Sequence, residues 1–318
     1  MKHTVFSYSQ WLFLSLVFSL LPACGLTDLQ RSDAVEVPVY PVTHQARGQG
    51  APLRQRILVP PFLDEKTTRS DKVAEVARRT LIQNLYSSQS FVIVNNSDMP
   101  HDLGKYINER REYNLEQIAA VAKNMGISAI IEGKILEVKA QRIGDEIGII
   151  RKIKARTDVT VRIRVVAARN GREILSTSRS ASVEAYTTRV AEYTYSDRFL
   201  EDDPNLVLAA AKKAFNGAAV LIMKAIDKLD WEGRVALVSG ERIFVNAGRL
   251  SGVQIGDIMK VTETGDEVFD PENGRYIGQA PGRMKGTIEV VSYFGQDGAI
   301  AIVHSGSGFK ENDRVELY

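Results

Sequence analysis

The stretch from Ile147 to Val165 constrains this chain most. Ile147, Ile149, Ile153, Ala155, Val159, Val161, Ile163 and Val165 share one parity, with only Arg151 and Thr157 interrupting, while Lys152, Lys154, Arg156, Asp158, Arg162 and Arg164 hold the other. Successive strand residues face opposite sides, so the spacing predicts one β-strand with an apolar and a charged face, far beyond the ~5–6 residues usual for a strand. Gly144-Asp145-Glu146 turns into it. Asn170-Gly171 leads out of it, a hairpin signal because both residues tolerate positive φ. The partner strand then runs from Arg172 to about Thr188, with Leu175, Ala181, Val183 and Ala185 on one side. A small domain cannot bury strands this long against one layer, so they protrude into a partner or a membrane.

Around this ribbon the chain reads as strand, helix, strand, helix, strand. Arg56-Ile57-Leu58-Val59 is a short buried strand stopped by Pro60-Pro61. Val73, Val76, Ala77, Leu81 and Leu85 fall on one helical face. Phe91 to Val94 returns as a strand. Asn114 and Gln117 make a capping-box start for a helix that Gly126 ends, with Leu115, Ile118, Ala119, Ala122 and Met125 as its buried stripe. Ile127 to Glu137 is the next strand. Asp203-Pro204 supplies an N-cap and a first-turn proline for a long helix to Leu229. The expected fold class is α+β: an α/β body of helices on a sheet, with long β-hairpins, followed by a small antiparallel β-barrel.

The barrel expectation comes from the texture beyond Trp231. Short strands punctuated by glycine are expected at Arg234–Val238, Arg242–Asn246, Asp257–Glu263, Gly286–Tyr293, Gly298–Val303 and Arg314–Leu317. An internal echo supports this. Gly252 to Ile258 and Gly308 to Val315 each place a glycine five residues before an aspartate and then an apolar strand. The glycine suits a turn and the aspartate suits local amides. Asp270 to Gly274 is turn chemistry first, with a calcium loop as the remote alternative.

Nothing in the composition selects an enzyme. The chain of 318 residues has 44% hydrophobic and 25% charged residues and a net charge of +2, room for about two domains with no field that selects nucleic acid. Its histidines (His3, His44, His101, His304) have no zinc-ligand spacing. Gly-x-Ser-x-Gly, the P-loop and His-Glu-x-x-His are absent from the sequence. Ser305 beside His304 reads as a hairpin loop, and Asp202-Asp203 as a helix cap. No catalytic residue, no metal site and no cofactor is expected.

The N-terminus gives the address. Lys2 and His3 precede an apolar run from Trp11 to Leu21, too short for the ~20 residues of a membrane span. Leu21-Pro22-Ala23-Cys24 closes it and resembles the lipobox of bacterial lipoproteins. That resemblance implies cleavage before Cys24, the only cysteine, and a covalent lipid on its sulfur. Acyl chains at ~0.8 kcal/mol per buried CH₂ hold a protein firmly on a bilayer. The bland alternative is an ordinary secretory signal with a chance cysteine. Gly25, not an inner-membrane retention aspartate, follows Cys24, which points to the outer membrane with the body facing the periplasm. The expected divisions are 1–23 signal, 24–55 tether, 56–231 body with two long hairpins, and 232–318 barrel.

Ile130 to Ile135, Val159 to Val166, Asn170 to Ser176, and Pro204 with the helix ending Ile226-Asp227-Lys228-Leu229-Asp230-Trp231 resemble the curli-secretion channel (CsgG-like) family of outer-membrane lipoproteins. The resemblance spans roughly Arg56 to Trp231. It implies a homo-oligomeric ring whose subunits contribute hairpins to one barrel across the outer membrane, passing secreted fibre subunits. Phe62 to Ser70 is shorter than that family's constriction loop, so no constriction residue is transferred. The hairpin segments Val138–Ala155 and Val183–Phe199 carry Arg151 and Arg189, which cost ~2–4 kcal/mol each on a lipid face at mid-bilayer. Ile143, Ile147, Ile149 and Ile153 are the expected outward face of the first, with a buried soluble face as the alternative. Val183, Tyr186, Tyr193 and Tyr195 face lipid or ring neighbours in the second. Ile243 to Gly248, Gly252 to Asp257 and Asp270 to Gly274 resemble the C-terminal domain of flagellar assembly protein T, which implies flagellar or other envelope ring proteins as the alternative partners.

Overall fold

The sheet is assembled around the strand Ala129–Gly144. The computed structural model describes residues 52–144, 150–190 and 203–318. In chain order the body comprises β1 (Gln55–Leu58), β2 (Leu63–Asp64), α1 (Asp71–Ser87), β3 (Phe91–Val94), α2 (Leu115–Ala122), β4 (Ala129–Gly144), β5 (Ile150–Ala167), β6 (Glu173–Val190), α3 (Pro204–Asn216) and α4 (Ala219–Ile226). The strand order is β3-β1-β4-β5-β6, with β2 also on β4. The β3-β1-β4 side is parallel and the β4-β5-β6 side antiparallel. At 18 residues, β5 spans roughly 59 Å.

Each sheet face has its own helices. On one face α1, α3 and α4 bury Leu81, Leu85, Phe215 and Ile222 against Ile131, Ile135, Val159, Val161, Ile163 and Val165. On the other, α2 buries Leu115, Ile118 and Ala122 against Ile130 and Val166. In α1 the buried positions are Val73, Ala74, Ala77, Leu81 and Leu85, so Ala74 belongs to the stripe and Val76 is only half-buried. Gly133 lies under the stacked rings of Phe62 and Phe215, 4.4 Å apart. A Cβ there would sit 2.6 Å from Phe62, which is why this mid-strand position is glycine.

The caps follow the sequence with two changes. Asp203 Oδ1 accepts from Asn205 N at 2.8 Å. Asn114 Oδ1 accepts from Gln117 N at 3.2 Å, but the reciprocal half of the capping box is replaced, since Asn114 N donates to Tyr106 O. The long helix expected to Leu229 ends at Ile226 and breaks at Gly217-Ala218 into α3 and α4. Pro204–Ile226 is long and apolar enough to cross a membrane, at 23 residues with mean hydropathy 1.6. Its apolar stripe is nonetheless the body's core. The β5–β6 turn is also longer than two residues: Ala167 N donates to Arg172 O, and only Gly171 has positive φ, +67°.

The C-terminal barrel comprises β7 (Gly233–Ser239), β8 (Arg242–Val245), β9 (Ile258–Thr262), a hairpin of β10 (Glu267–Phe269) and β11 (Tyr276–Gln279), then β12 (Met284–Phe294), β13 (Gly298–Gly306) and β14 (Arg314–Leu317). Six strands close in the order β12-β13-β8-β7-β14-β9. Ile243, Val245, Met259, Val261, Ile288, Val290, Ala301 and Val315 fill the interior. The β10–β11 hairpin adds two short strands that the sequence pattern does not mark. Asp270 shapes its turn by accepting from Glu272 N at 2.8 Å.

The internal echo is a structural repeat. Asp257 Oδ2 accepts from Gln254 N at 2.8 Å, and Asp313 Oδ2 from Lys310 N at 2.7 Å. Gly252 and Gly308 have φ of +81° and +76°, and Gly256 and Asn312 of +89° and +70°. Gly256 N donates to Val290 O while Val290 N donates to Asp257 O. Asn312 N and Val235 N make the same reciprocal pair with Val235 O and Asp313 O. Each turn thus fastens itself to a neighbouring barrel strand before its own strand begins, and those strands, β9 and β14, pair with one another.

Residues 52–55, assigned to the tether by sequence, join body to barrel. Arg54 N donates to Ser251 O, and Trp231 Nε1 to Arg54 O at 3.2 Å. Across the same junction Arg234 Nε donates to Lys123 O at 3.0 Å. Arg56 donates to Asn246 O, and burial pushes the Arg56 guanidinium below the usual arginine range, opposed by Asp297 and Asp98.

Candidate functional site

The long strands outrun the helices that cover them. Covered positions of β4, β5 and β6 on the helix side reach Val138, Ala155 and Val183, whereas the strands continue to Gly144, Ile150 and Val190. Beyond the helices this is a three-stranded ribbon. Among the described residues β6 pairs only with β5, and β4 beyond Ile135 pairs only with β5. Among the described residues, then, no strand pairs on either outer edge of the ribbon, and an edge left open in this way is a template for pairing with another chain.

A bulge re-aims the ribbon. The β4–β5 register shifts between Ile135 and Glu137, leaving Leu136 as the extra residue. One inserted residue exchanges the two faces of everything beyond it. Before the bulge, odd β4 residues such as Ile131 and Ile135 share the core face with Ile163 and Val165. After it, Ile143 lies opposite Lys154, which lies opposite Tyr186. Ile153 sits in the neighbouring row, opposite Gly144 and Thr187. The expected single face of Ile143 and Ile153 is corrected accordingly: the two occupy alternate rows of the pleat. Val183 is opposite Thr157 and packs half-buried on the body's core, so it belongs to the base of the ribbon. Cys24, Ile147, Ile149, Tyr193 and Tyr195 lie outside the described residues, as do Gly144-Asp145-Glu146 beyond its glycine and the second hairpin beyond Val190.

The base carries a wall of ion pairs on the face away from α3. Glu132, 1% exposed, binds Arg164, its cross-strand neighbour, and accepts from Tyr113 N at 3.2 Å. Arg162 binds Glu112 at 2.7 Å. Lys134, opposite Arg162, binds Glu65 and donates to Arg110 O at 3.1 Å. The Arg162 hydrogen bond holds the Glu112 carboxyl below its usual range against the opposing effect of burial. The Glu132 hydrogen bond pushes Arg164 up. The Tyr113 hydroxyl, raised mainly by burial, donates to Pro61 O at 3.0 Å. The wall satisfies charges that the alternating strand brings under cover. The cations are visible in the alternation, but their partners are not, because Glu132 meets Arg164 and Glu112 meets Arg162 only once the chain has folded.

Ser305 and Asp203 make local structural contacts. Ser305 is in β13, not a loop, and its Oγ lies 2.8 Å from Thr287 Oγ1. His304 is exposed beside it. Asp203 caps α3. No cluster of three or more His, Cys, Asp or Glu able to hold a metal occurs among the described residues.

No family model matches the sequence, and no curated protein matches it. Similar solved structures include the hypothetical protein CT253 from Chlamydia trachomatis, 12% identical over 54% of this chain and 98% of that one, with TM-score 0.34. Lipoprotein GNA1162 from Neisseria meningitidis is 18% identical over 41% and 84%, with TM-score 0.26. The LpoB C-terminal domain from Salmonella enterica is 12% identical over 42% and 85%, with TM-score 0.28. Likeness at this level assigns neither family nor function.

Proposed function

We propose that this protein is a lipid-anchored envelope protein of the outer membrane whose copies assemble side by side into a ring through the β4–β6 ribbon. The observation that supports the reading is the ribbon itself: strands that run past the helices packed on them, with both outer edges unpaired among the described residues. Cys24 supplies the anchor, and the periplasm is the side on which the body stands. In the leading form the ribbons join into a passive pore that passes or anchors extracellular protein subunits, as the resemblance to the curli-secretion channel family implies. No step of this form requires catalysis or a cofactor.

A second form is favoured by a specific observation. The row Ile143–Lys154–Tyr186 and the Arg151–Arg189 pair three positions along put cations in the ribbon where a lipid-facing strand would cost ~2–4 kcal/mol for each. A ring that stays in the periplasm, serving a flagellar or other envelope machine, meets no such cost. Planar-bilayer recording of the detergent-purified full chain separates the forms: stepwise conductance supports the pore, and a silent membrane with intact rings supports the scaffold. A Cys24→Ala variant that still sediments with outer membranes would reject acyl anchoring.

A further inference from the structure

The strongest unassigned feature is a cleft of about 310 Å³ beside the β5–β6 turn, where the body meets the barrel. Arg169, Arg172 and Lys228 line it together with Asp230, Glu232 and Leu229. Among the described residues the side chains of Arg169, Arg172 and Lys228 have no ion-pair partner. Behind them lie Arg234 and Arg314, which share Glu232 at 3.7 and 3.2 Å; Arg314 also binds Glu316. Glu232, 5% exposed, is thus already engaged, and cations outnumber carboxylates around the cavity. Burial is the main cause that lowers Arg234 and Arg314; Glu232 opposes it, and the nearby charge of Arg169 adds to it. Arg169 is half-buried and Arg172 and Lys228 are exposed, so the cleft is open to solvent and an anion entering it meets unpaired cations held side by side.

We propose that this cleft is an oxyanion site, taking a carboxylate or phosphate group between Arg169 and Arg172. Planar guanidinium groups match both geometries and form the stronger, charge-assisted class of hydrogen bond. Lys228 adds a point charge, while Leu229 and Ile277 offer apolar contact to a short hydrocarbon portion. The volume is at the small end of the ~300–1,000 Å³ of ligand pockets, which suits a small organic acid, a phosphate monoester or one acidic side chain. The site does not depend on ring formation.

The test is calorimetric titration of the full-length protein in detergent at low chloride. The probes are inorganic phosphate, glutarate and a blocked aspartate-containing peptide. Saturable binding by at least one probe is expected. It should weaken about tenfold or more in Arg169→Gln and in Arg172→Gln, as loss of one charge-assisted hydrogen bond implies, and should weaken as sodium chloride rises. Lys72→Gln, on the exposed first turn of α1, should bind as wild type. Binding of phosphate or glutarate assigns a free anion, and binding of the peptide alone assigns a polypeptide carboxylate. No saturable binding by any probe, or binding that Arg169→Gln leaves unchanged while its circular dichroism is native, would overturn the assignment.

Discussion

The barrel and the ribbon use the same antiparallel pairing and differ at their last strands. In the barrel, β9 meets β12 and the sheet closes on itself; in the ribbon, β4 and β6 meet nothing on their outer sides among the described residues. Closure removes edges altogether, whereas an open edge is managed only by covering it or pairing it. Every strand of the barrel is held by two neighbours from its own chain. On the proposed reading, other copies of the chain give the ribbon what the barrel finds within its own.

The sharpest way to break this contrast is proline at one ribbon edge. Successive N–H groups in β6 point alternately toward β5 and outward. Of Thr187→Pro and Thr188→Pro, one should destabilise the sheet, and the other should keep native circular dichroism while abolishing the assembled species in sedimentation velocity. Next in size is Phe215→Ala, which empties the body's core beneath Gly133. A loss of about 3–5 kcal/mol in denaturant unfolding is expected, with the barrel's near-ultraviolet signal from Trp231 and Tyr293 least affected. Gly133→Val pushes a branched side chain into the Phe62–Phe215 stack and should cost about 1–3 kcal/mol in the same assay.

The smallest effect concerns the ion-pair wall. The folded Glu112 carboxyl lies below its ordinary value, so its contribution is present above the unfolded pKa of ~4.3 and is lost as pH falls through the lower folded value. The urea midpoints of wild type and Glu112→Gln should differ at neutral pH and converge in acid. A constant difference down to the lowest pH at which the protein folds would remove Glu112 from the account.

Much of the fold is legible in residue order because local chemistry fixes it. The Gly252–Asp257 and Gly308–Asp313 turns announce the barrel's two matching clamps, and Asn114, Asp203 and Pro204 announce helix starts. What is missed depends on neighbours distant in sequence. The break between α3 and α4 falls at Gly217-Ala218, where the apolar pattern continues without a gap. The β10–β11 hairpin has only short strands on which to show alternation. The candidate site is legible in part: the length of β5 is plain, but the face of Ile143 is not, because the bulge at Leu136 has no glycine or proline to mark it. The cleft at Arg169 is invisible until β5 and the segment after α4 are brought together.

The central claim is that copies of this chain complete one another's ribbon edges. Projection imaging of the full-length, detergent-extracted protein tests it most directly. The account predicts annular particles of many subunits that disappear in the edge proline variant. Single folded copies at every concentration, with no closed assembly, would contradict it.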